Sequence, residues 1–201
     1  MSAPIPKDIP LVRARDLEHP RPRTQAGLDL TGRLSHFRGI GTTTFAAIAT
    51  ARMHAAGRHV AWISATEDIV YPPDLAANGV DLEELSFVFA EDPFQASRAA
   101  EHLLRSGAFG LIVLDLEHDA QIPDAVQGRL LRLAQDMTAA VLSITRGDTV
   151  LRGSIISLRG DVWHASHSAG RYRLSVRITR DKHGGTGARS GEVCDAPAGM
   201  Y

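Results

Sequence analysis

Apolar residues along most of the chain fall into short continuous runs, separated by longer amphipathic stretches. The run Leu111–Leu114 is apolar at every position, as is typical of a strand covered on both faces. In a later stretch, Val126, Leu130 and Leu133 recur at helical spacing. This alternation predicts a parallel sheet with helices on both faces.

The pattern places the elements as follows. Five strands are predicted at Leu34–Arg38, His59–Ser64, Ser86–Ala90, Gly110–Leu114 and Ala139–Ile144. Helices are predicted between them at Thr43–Ala56, Pro73–Asn78, Pro93–Ser106 and Pro123–Asp136. Apolar and polar residues then alternate with a period of two, which predicts an antiparallel pair at Asp161–Ser166 and Arg171–Thr179.

The same pattern divides the chain into three parts. Residues 1–27 are proline-rich and predict an arm or linker, residues 28–182 a core domain, and residues 183–201 a flexible tail. The glycine-rich stretch 183–191 is expected to be mobile. A chain of 201 residues is long enough to bury a core without disulfides or metals.

Composition narrows the class of protein. With 44% apolar and 22% charged residues, global disorder is excluded and a soluble globular protein is expected. The single cysteine, Cys194, excludes a disulfide framework within the chain. Neither an apolar run of about 18–20 residues nor a signal segment is present, so we expect a cytoplasmic protein without membrane contact.

The net charge of −1 hides an uneven distribution. Residues 1–63 carry nine basic and four acidic side chains, residues 64–136 four and fourteen, and residues 137–201 nine and five. An ordinary solvated surface is the favoured interpretation of this distribution. The alternative is one basic and one acidic face, suited to nucleic acid or to a charged partner.

The strand at Leu34–Arg38 runs into a glycine turn where a phosphate loop would stand. Gly39 and Gly41 are separated by one residue rather than four, and Thr42 holds the place of the usual lysine before Thr43. So short a turn lacks the consecutive amides that wrap a β-phosphate. A structural turn is the favoured interpretation. The alternative is that the turn binds nucleotide, since a helix N-terminus alone still holds an anion weakly.

Two carboxylates also bear on whether the chain binds a nucleotide. Asp115 ends an apolar strand, where a carboxylate beside a Mg²⁺ site is expected in nucleotide-hydrolysing proteins. Glu67 follows the second strand and would lie on the same edge of the sheet as a water-activating base. The alternative interpretation is that Glu67 is a solvated loop residue beside Asp68.

Several segments, taken in order, resemble the core of the RecA recombinases. The resemblance rests on Leu28–Leu30, Gly32–Leu34, Ala77–Asp81 with Leu85, Phe94–Asp115 and Thr179–Lys182. It covers roughly residues 28–182 and implies a RecA-like α/β core, with a mainly parallel central sheet flanked by helices and a C-terminal antiparallel hairpin. The implied nucleotide-site residues are Gly39, Gly41, Thr42, Thr43, Glu67 and Asp115.

The departures from that pattern are informative. The phosphate loop is short and lacks its lysine, and little room exists between Ile144 and Asp161 for a long DNA-binding loop. With these losses the chain is most similar to the ImuA-type family of bacterial mutasome cassettes. That resemblance implies a non-catalytic accessory role in damage-induced translesion synthesis, without a cofactor. It implies contact with RecA, with an ImuB-like protein, or with both, beside an error-prone polymerase. It also implies association with the nucleoid when DNA is damaged.

Basic residues near both ends are the candidates for partner or DNA contact. They are Arg13, Arg15, Arg171, Arg173, Arg177, Arg180 and Lys182. For the C-terminal group, an exposed polar face, contact with the DNA backbone and docking to an acidic partner surface all remain open. Trp163 and Tyr172 either pack on the hairpin or stack on single-stranded DNA. The pair His164 and His167 is poorly spaced for a metal in an extended segment, so we expect no metal site.

Overall fold

The computed structural model describes residues 28–66, 70–148, 150–168, 171–184 and 186–195, and at 166–168, 171 and 188–195 the backbone alone. Its strands are β1 (Leu34–Arg38), β2 (His59–Ala65), β3 (Leu85–Phe89), β4 (Phe109–Leu116), β5 (Ala140–Thr145), β6 (Leu158–Ser168), β7 (Arg171–Asp181) and β8 (Gly187–Asp195). Its helices are α1 (Thr42–Ala55), α2 (Pro72–Ala77), α3 (Pro93–Ser106) and α4 (Asp124–Asp136).

The strands form one sheet in the order β3-β2-β4-β5-β1-β6-β7-β8. Pairing is parallel from β3 to β6, whereas β7 runs antiparallel to both β6 and β8. An α/β sheet that is mainly parallel and ends in an antiparallel hairpin is therefore confirmed.

Helices cover both faces of the parallel part, as the apolar pattern predicted. On one face Phe45 of α1 and Leu75 of α2 join the core beneath the sheet. On the other face Leu104 of α3 and Leu130 of α4 do the same. β4 lies between β2 and β5 and is buried almost throughout, because both of its faces are covered.

Local sequence explains where α3 begins and ends. The carboxylate of Asp92 accepts a hydrogen bond from the amide of Gln95 at 2.7 Å, which caps the first turn. Gly107 follows the helix with a positive φ of 70°, the conformation in which many helices end. These signals explain why the predicted bounds of this helix agree with the structure.

The C-terminal region differs from the expected tail. In place of a flexible segment from residue 183, the backbone of Gly187–Asp195 forms β8 and pairs along β7. The free edge of β7 supplies the hydrogen-bonding partners, so even a glycine-rich and polar sequence is drawn into the sheet.

Candidate functional site: the glycine turn and the sheet edge around it

The turn between β1 and α1 has its backbone amides engaged by the protein itself. The amide of Gly39 donates to the carbonyl oxygen of Thr145 at 3.1 Å, and that of Gly41 to the carbonyl oxygen of Val162 at 3.3 Å. The amide of Thr42 donates back to the carbonyl oxygen of Gly39 at 3.3 Å. A phosphate nest needs such amides to point together at an anion, and here three of them point at carbonyl oxygens.

The turn is also pressed against the hairpin strands. Gly39 has a φ of +113°, and a Cβ built on it would lie 2.2 Å from the carbonyl oxygen of Val162. A Cβ on Gly41 would lie 2.9 Å from Cδ1 of Leu174. Both glycines are therefore explained by close packing against β6 and β7, without any ligand.

The threonines at the start of α1 take part in internal contacts. Thr42 is completely buried, and its hydroxyl donates to the carbonyl oxygen of Gly39 at 2.8 Å. Thr43 is half-buried. The hydroxyl of Thr44 lies 3.2 Å from Nε2 of His164, whose pKa is lowered by burial. The helix start is tied to the turn before it and to the hairpin beside it.

Asp115 lies near the carboxyl end of β4, opposite Ser64 of β2, and is fully buried. Its Oδ2 accepts a hydrogen bond from the guanidinium of Arg146 at 3.3 Å and from the indole Nε1 of Trp62 at 3.4 Å. Arg146 therefore lies against a carboxylate oxygen that would have to face a hydrated metal if Asp115 took part in nucleotide hydrolysis. Glu67, the second expected carboxylate, lies outside the described residues.

A cleft of about 470 Å³ opens beside the turn, between the carboxyl end of β1 and the hairpin. Arg38 spans it, donating to Oδ1 of Asp161 at 2.6 Å and to the carbonyl oxygen of Asp148. On its far wall the guanidinium of Arg177 lies over the ring of Trp163, 5.5 Å from the ring centroid. The cleft is thus lined both by the ion pair of Arg38 with Asp161 and by the cation–π contact of Arg177 with Trp163.

The basic candidates fall into two groups. Arg173 and Arg177 are exposed on β7, whereas Arg180 and Lys182 both donate to the carbonyl oxygen of Ser154, at 3.4 and 2.6 Å. For Arg171 only the backbone is described, and Arg13 and Arg15 lie outside the described residues. Two of the described cations therefore also hold the connection between β5 and β6.

A second cavity, of about 350 Å³, lies at the opposite edge of the sheet. It is apolar and is bordered by β3, whose Phe89 is 69% exposed, and by the segment that leads into α2, where Tyr71 is 59% exposed. Phe87 forms part of its wall and stacks on the buried Trp62.

Sequence reasoning missed Arg146, Val162 and Trp62 as parts of this site. Val162 and Trp62 gave no signal, because their contacts come from strands that pair across long separations in sequence. Arg146 does follow an apolar strand, as Asp115 does, and parallel strands that end at one edge bring such residues together.

The chain matches no protein-family model, and a comparison with curated proteins also finds no match. Among the described residues, no group of three histidine, cysteine or carboxylate side chains is placed to hold a metal ion. No helix in the part of the chain that the structure describes has the length and apolar character to cross a bilayer.

Proposed function

We propose that this chain is a non-catalytic, RecA-like accessory protein of damage-induced translesion synthesis. In this proposal it acts by contact with RecA, with an ImuB-like protein, or with both, beside an error-prone polymerase. It would work in the cytoplasm and join the nucleoid when DNA is damaged. The proposal rests on the sequence resemblance together with the geometry of the glycine turn.

The observation that supports it best is the engagement of the turn amides. Because Gly39, Gly41 and Thr42 donate to carbonyl oxygens, binding a nucleotide there would break three internal hydrogen bonds. Each such bond contributes about 0.5–1.5 kcal/mol to stability. Because these amides are already bonded within the protein, the turn favours a protein that does not bind and release nucleotide as part of its function.

The environment of Asp115 supports the same conclusion. A carboxylate that takes part in hydrolysis must orient a hydrated Mg²⁺, whereas this one already accepts from Arg146 and Trp62. The alternative function, an atypical ATPase, relies on Asp115, Thr43 and Glu67. Such an enzyme would have to displace Arg146 in order to load a metal.

A protein that nucleotide does not switch must act through surfaces that are always available. We assign residues 1–27 to a RecA-like neighbour and the basic C-terminal strand, with Arg171, Arg173 and Arg177, to the ImuB-like protein or the polymerase. The acidic segment 64–136 is the candidate surface if both assignments fail.

Calorimetry with Mg-ATP tests the loss of nucleotide binding. We expect no heat of binding for the full chain or for Thr42→Lys, because the added amine does not lengthen the turn. Micromolar affinity in the natural chain would refute the non-catalytic proposal. ATP hydrolysis gained by Thr42→Lys alone would refute the argument from turn length.

A pull-down with purified RecA and an ImuB-like protein, in the presence of nuclease, tests the partner assignment. Three proteins are compared: the full chain, a variant without residues 1–27, and a variant with Arg171, Arg173 and Arg177 changed to Glu. We expect each variant to lose one partner while keeping the unfolding midpoint of the natural chain. If the natural chain captures neither protein, the proposed function is wrong.

A further inference from the structure

Three basic side chains converge on two neighbouring carbonyl oxygens in the connection between β5 and β6. The guanidinium of Arg159 donates to the carbonyl oxygen of Gly153 at 2.6 Å. The ammonium of Lys182 donates to the carbonyl oxygen of Ser154 at 2.6 Å, and the guanidinium of Arg180 donates to the same oxygen at 3.4 Å. Residues from two strands and from the end of β7 are therefore gathered at one point of the fold.

The backbone that carries these carbonyl oxygens is held in place from the other side. Gly153 has a φ of +141°, and a Cβ built on it would lie 2.1 Å from Oε1 of the buried Gln127. Gln127 in turn donates to the carbonyl oxygen of Arg152 at 2.6 Å. The amide of Leu151 donates to Nε2 of the buried His36 at 3.2 Å. The three basic side chains are thus positioned by a fixed segment of backbone.

No carboxylate in the part of the chain that the structure describes pairs with these three cations. Asp181 stands between Arg180 and Lys182 in sequence, but its carboxylate accepts a hydrogen bond from Arg33 at 2.9 Å. The Nε of Arg159 is buried and has no hydrogen-bond partner. Three positive charges are therefore offset here by neutral carbonyl groups, which is costly for groups that are partly removed from water.

Two of the cations also repel each other. The pairing of β6 with β7 is interrupted at Thr179, and Arg159 comes to stand directly opposite Arg180. Like charges at directly opposite positions destabilise a sheet. Burial lowers the pKa of Arg159, and the charge of Arg180 lowers it further. A bound anion would remove this repulsion and compensate the charge.

From this arrangement we infer that Arg159, Arg180 and Lys182 bind a small phosphate-type dianion, which is either inorganic phosphate or a small phosphomonoester. Two negative charges on a tetrahedral group offset most of the local positive charge, and its oxygens accept from several donors at once. A guanidinium has five N–H donors and an ammonium has three. Because the carbonyl oxygens use only part of this capacity, the anion binds without opening the connection.

This inference goes beyond the proposed function, because an adaptor that acts through protein contact needs no small-molecule site. It uses none of the arginines assigned to the ImuB-like protein. It also differs in place from the glycine turn, which leads into α1. Leu158 and Val162 of β6 join the core on the α1 side, so the alternation along the strand puts Arg159 on the opposite face of the sheet.

Thermal unfolding of the full chain tests the inference. Inorganic phosphate replaces chloride at pH 7.5 and constant ionic strength, and glycerol 3-phosphate is used in a second series. We expect the unfolding midpoint to rise by about 3–6 °C at ten times the dissociation constant and then to approach saturation. The ester that gives the stronger response, or inorganic phosphate if it does, identifies the source of the dianion. General exclusion of phosphate from the protein surface instead gives a rise without saturation.

Arg180→Gln separates anion binding from a merely structural role. It removes the like charge that faces Arg159, so we expect an unfolding midpoint in phosphate-free buffer no lower than that of the natural chain. The rise with phosphate should nevertheless be lost, because the affinity falls about tenfold or more. Lys182→Gln should weaken binding similarly. Arg98→Gln, at an exposed position on α3, removes the same charge and should keep the full rise.

The Nε–H resonance of Arg159 gives an independent readout by nuclear magnetic resonance. We expect it to shift on addition of phosphate with the dissociation constant found by thermal unfolding. Arg159→Lys keeps the positive charge and lacks this group, so its spectrum identifies the resonance.

Three outcomes would overturn the inference. They are a rise in midpoint that does not saturate, an equal rise in Arg180→Gln, and displacement of phosphate by oligothymidylate at an equal concentration of phosphate groups. The last would assign these cations to nucleic acid instead. None of them bears on the capture of RecA or an ImuB-like protein, so failure here is distinguishable from failure of the proposed function.

Discussion

The guanidinium of Arg146 lies 3.3 Å from Oδ2 of Asp115 and closes the end of β4. The two partners differ in exposure, since the side chain of Asp115 is 1% exposed and that of Arg146 is 32% exposed. Removing one partner therefore has a different consequence from removing the other.

We predict that Arg146→Gln destabilises the protein more than Asp115→Asn. The first change leaves a buried carboxylate with less compensation, at a cost of about 1–3 kcal/mol, and the second leaves an arginine that can turn toward water. Urea unfolding of both single variants and of the double variant measures the coupling between them. Equal costs with no coupling would mean that the contact contributes little.

Substitution of Gly39 tests whether the turn is closely packed against β6. Gly39→Ala places a methyl group against the carbonyl oxygen of Val162, whereas Gly147→Ala, also at positive φ, meets no atom within 4 Å. We expect Gly147→Ala to cost about 1–2 kcal/mol from backbone strain, and Gly39→Ala to cost more because strain and overlap add. The two unfolding free energies decide the matter. A Gly39→Ala variant no less stable than its control would show that the turn has room to move.

Ile112 is completely buried at the centre of β4. Ile112→Ala leaves a cavity between the sheet and the helices on the α3 and α4 side, and we expect a loss of roughly 2–5 kcal/mol. Val150→Ala, at a residue that is 37% exposed, serves as the control and should change stability much less. Chemical denaturation measures both, and similar costs would contradict the position of β4 in the core.

His164 makes stability depend on pH. Burial lowers its pKa in the folded protein below the usual 6.5, so the unfolded chain binds a proton more readily than the folded one. As far as His164 affects it, the free energy of unfolding should therefore keep its full value above about pH 6.5 and fall as the pH drops below that value. His54, whose pKa is lowered mainly by burial, adds to the same effect.

Unfolding in urea at pH 7.5 and pH 5.5 checks this expectation. We expect His164→Gln to reduce the loss of stability between the two values, because the glutamine cannot take up a proton. His118→Gln, on a side chain that is 73% exposed, is the matched control. If His164→Gln shows the full loss, the histidine is not responsible for it.

Periodicity predicted most of the parallel sheet because its signal is local. The apolar run of β4 and the helical spacing in α4 each lie within one element, and their predicted bounds differ from the structure by a few residues at most. The expectation that Asp115 would lie near the carboxyl end of a buried strand is confirmed for the same reason.

The details of the site depend instead on pairing between distant segments. Nothing near Gly41 in sequence indicates that its amide donates to Val162, about 120 residues later, because parallel pairing of β1 with β6 creates that contact. β8 was missed because a glycine-rich, polar segment becomes a strand only when β7 offers its edge. Glu67, Arg13 and Arg15 remain predictions.

Thr179 is an extra residue in β7, because Gly160 of β6 pairs with Ile178 while its neighbour Arg159 pairs with Arg180. Because a strand shows its side chains alternately to its two sides, the extra residue acts as a phase shift for everything that follows it. Beyond it, the carboxylate of Asp181 accepts a hydrogen bond from the guanidinium of Arg33 at 2.9 Å. Deleting Thr179 would turn Asp181 away from Arg33, and would turn Arg180 and Lys182 toward the core. Replacing it by another residue would leave the phase intact. Among related sequences, we therefore expect insertions and deletions at this position to be much rarer than substitutions.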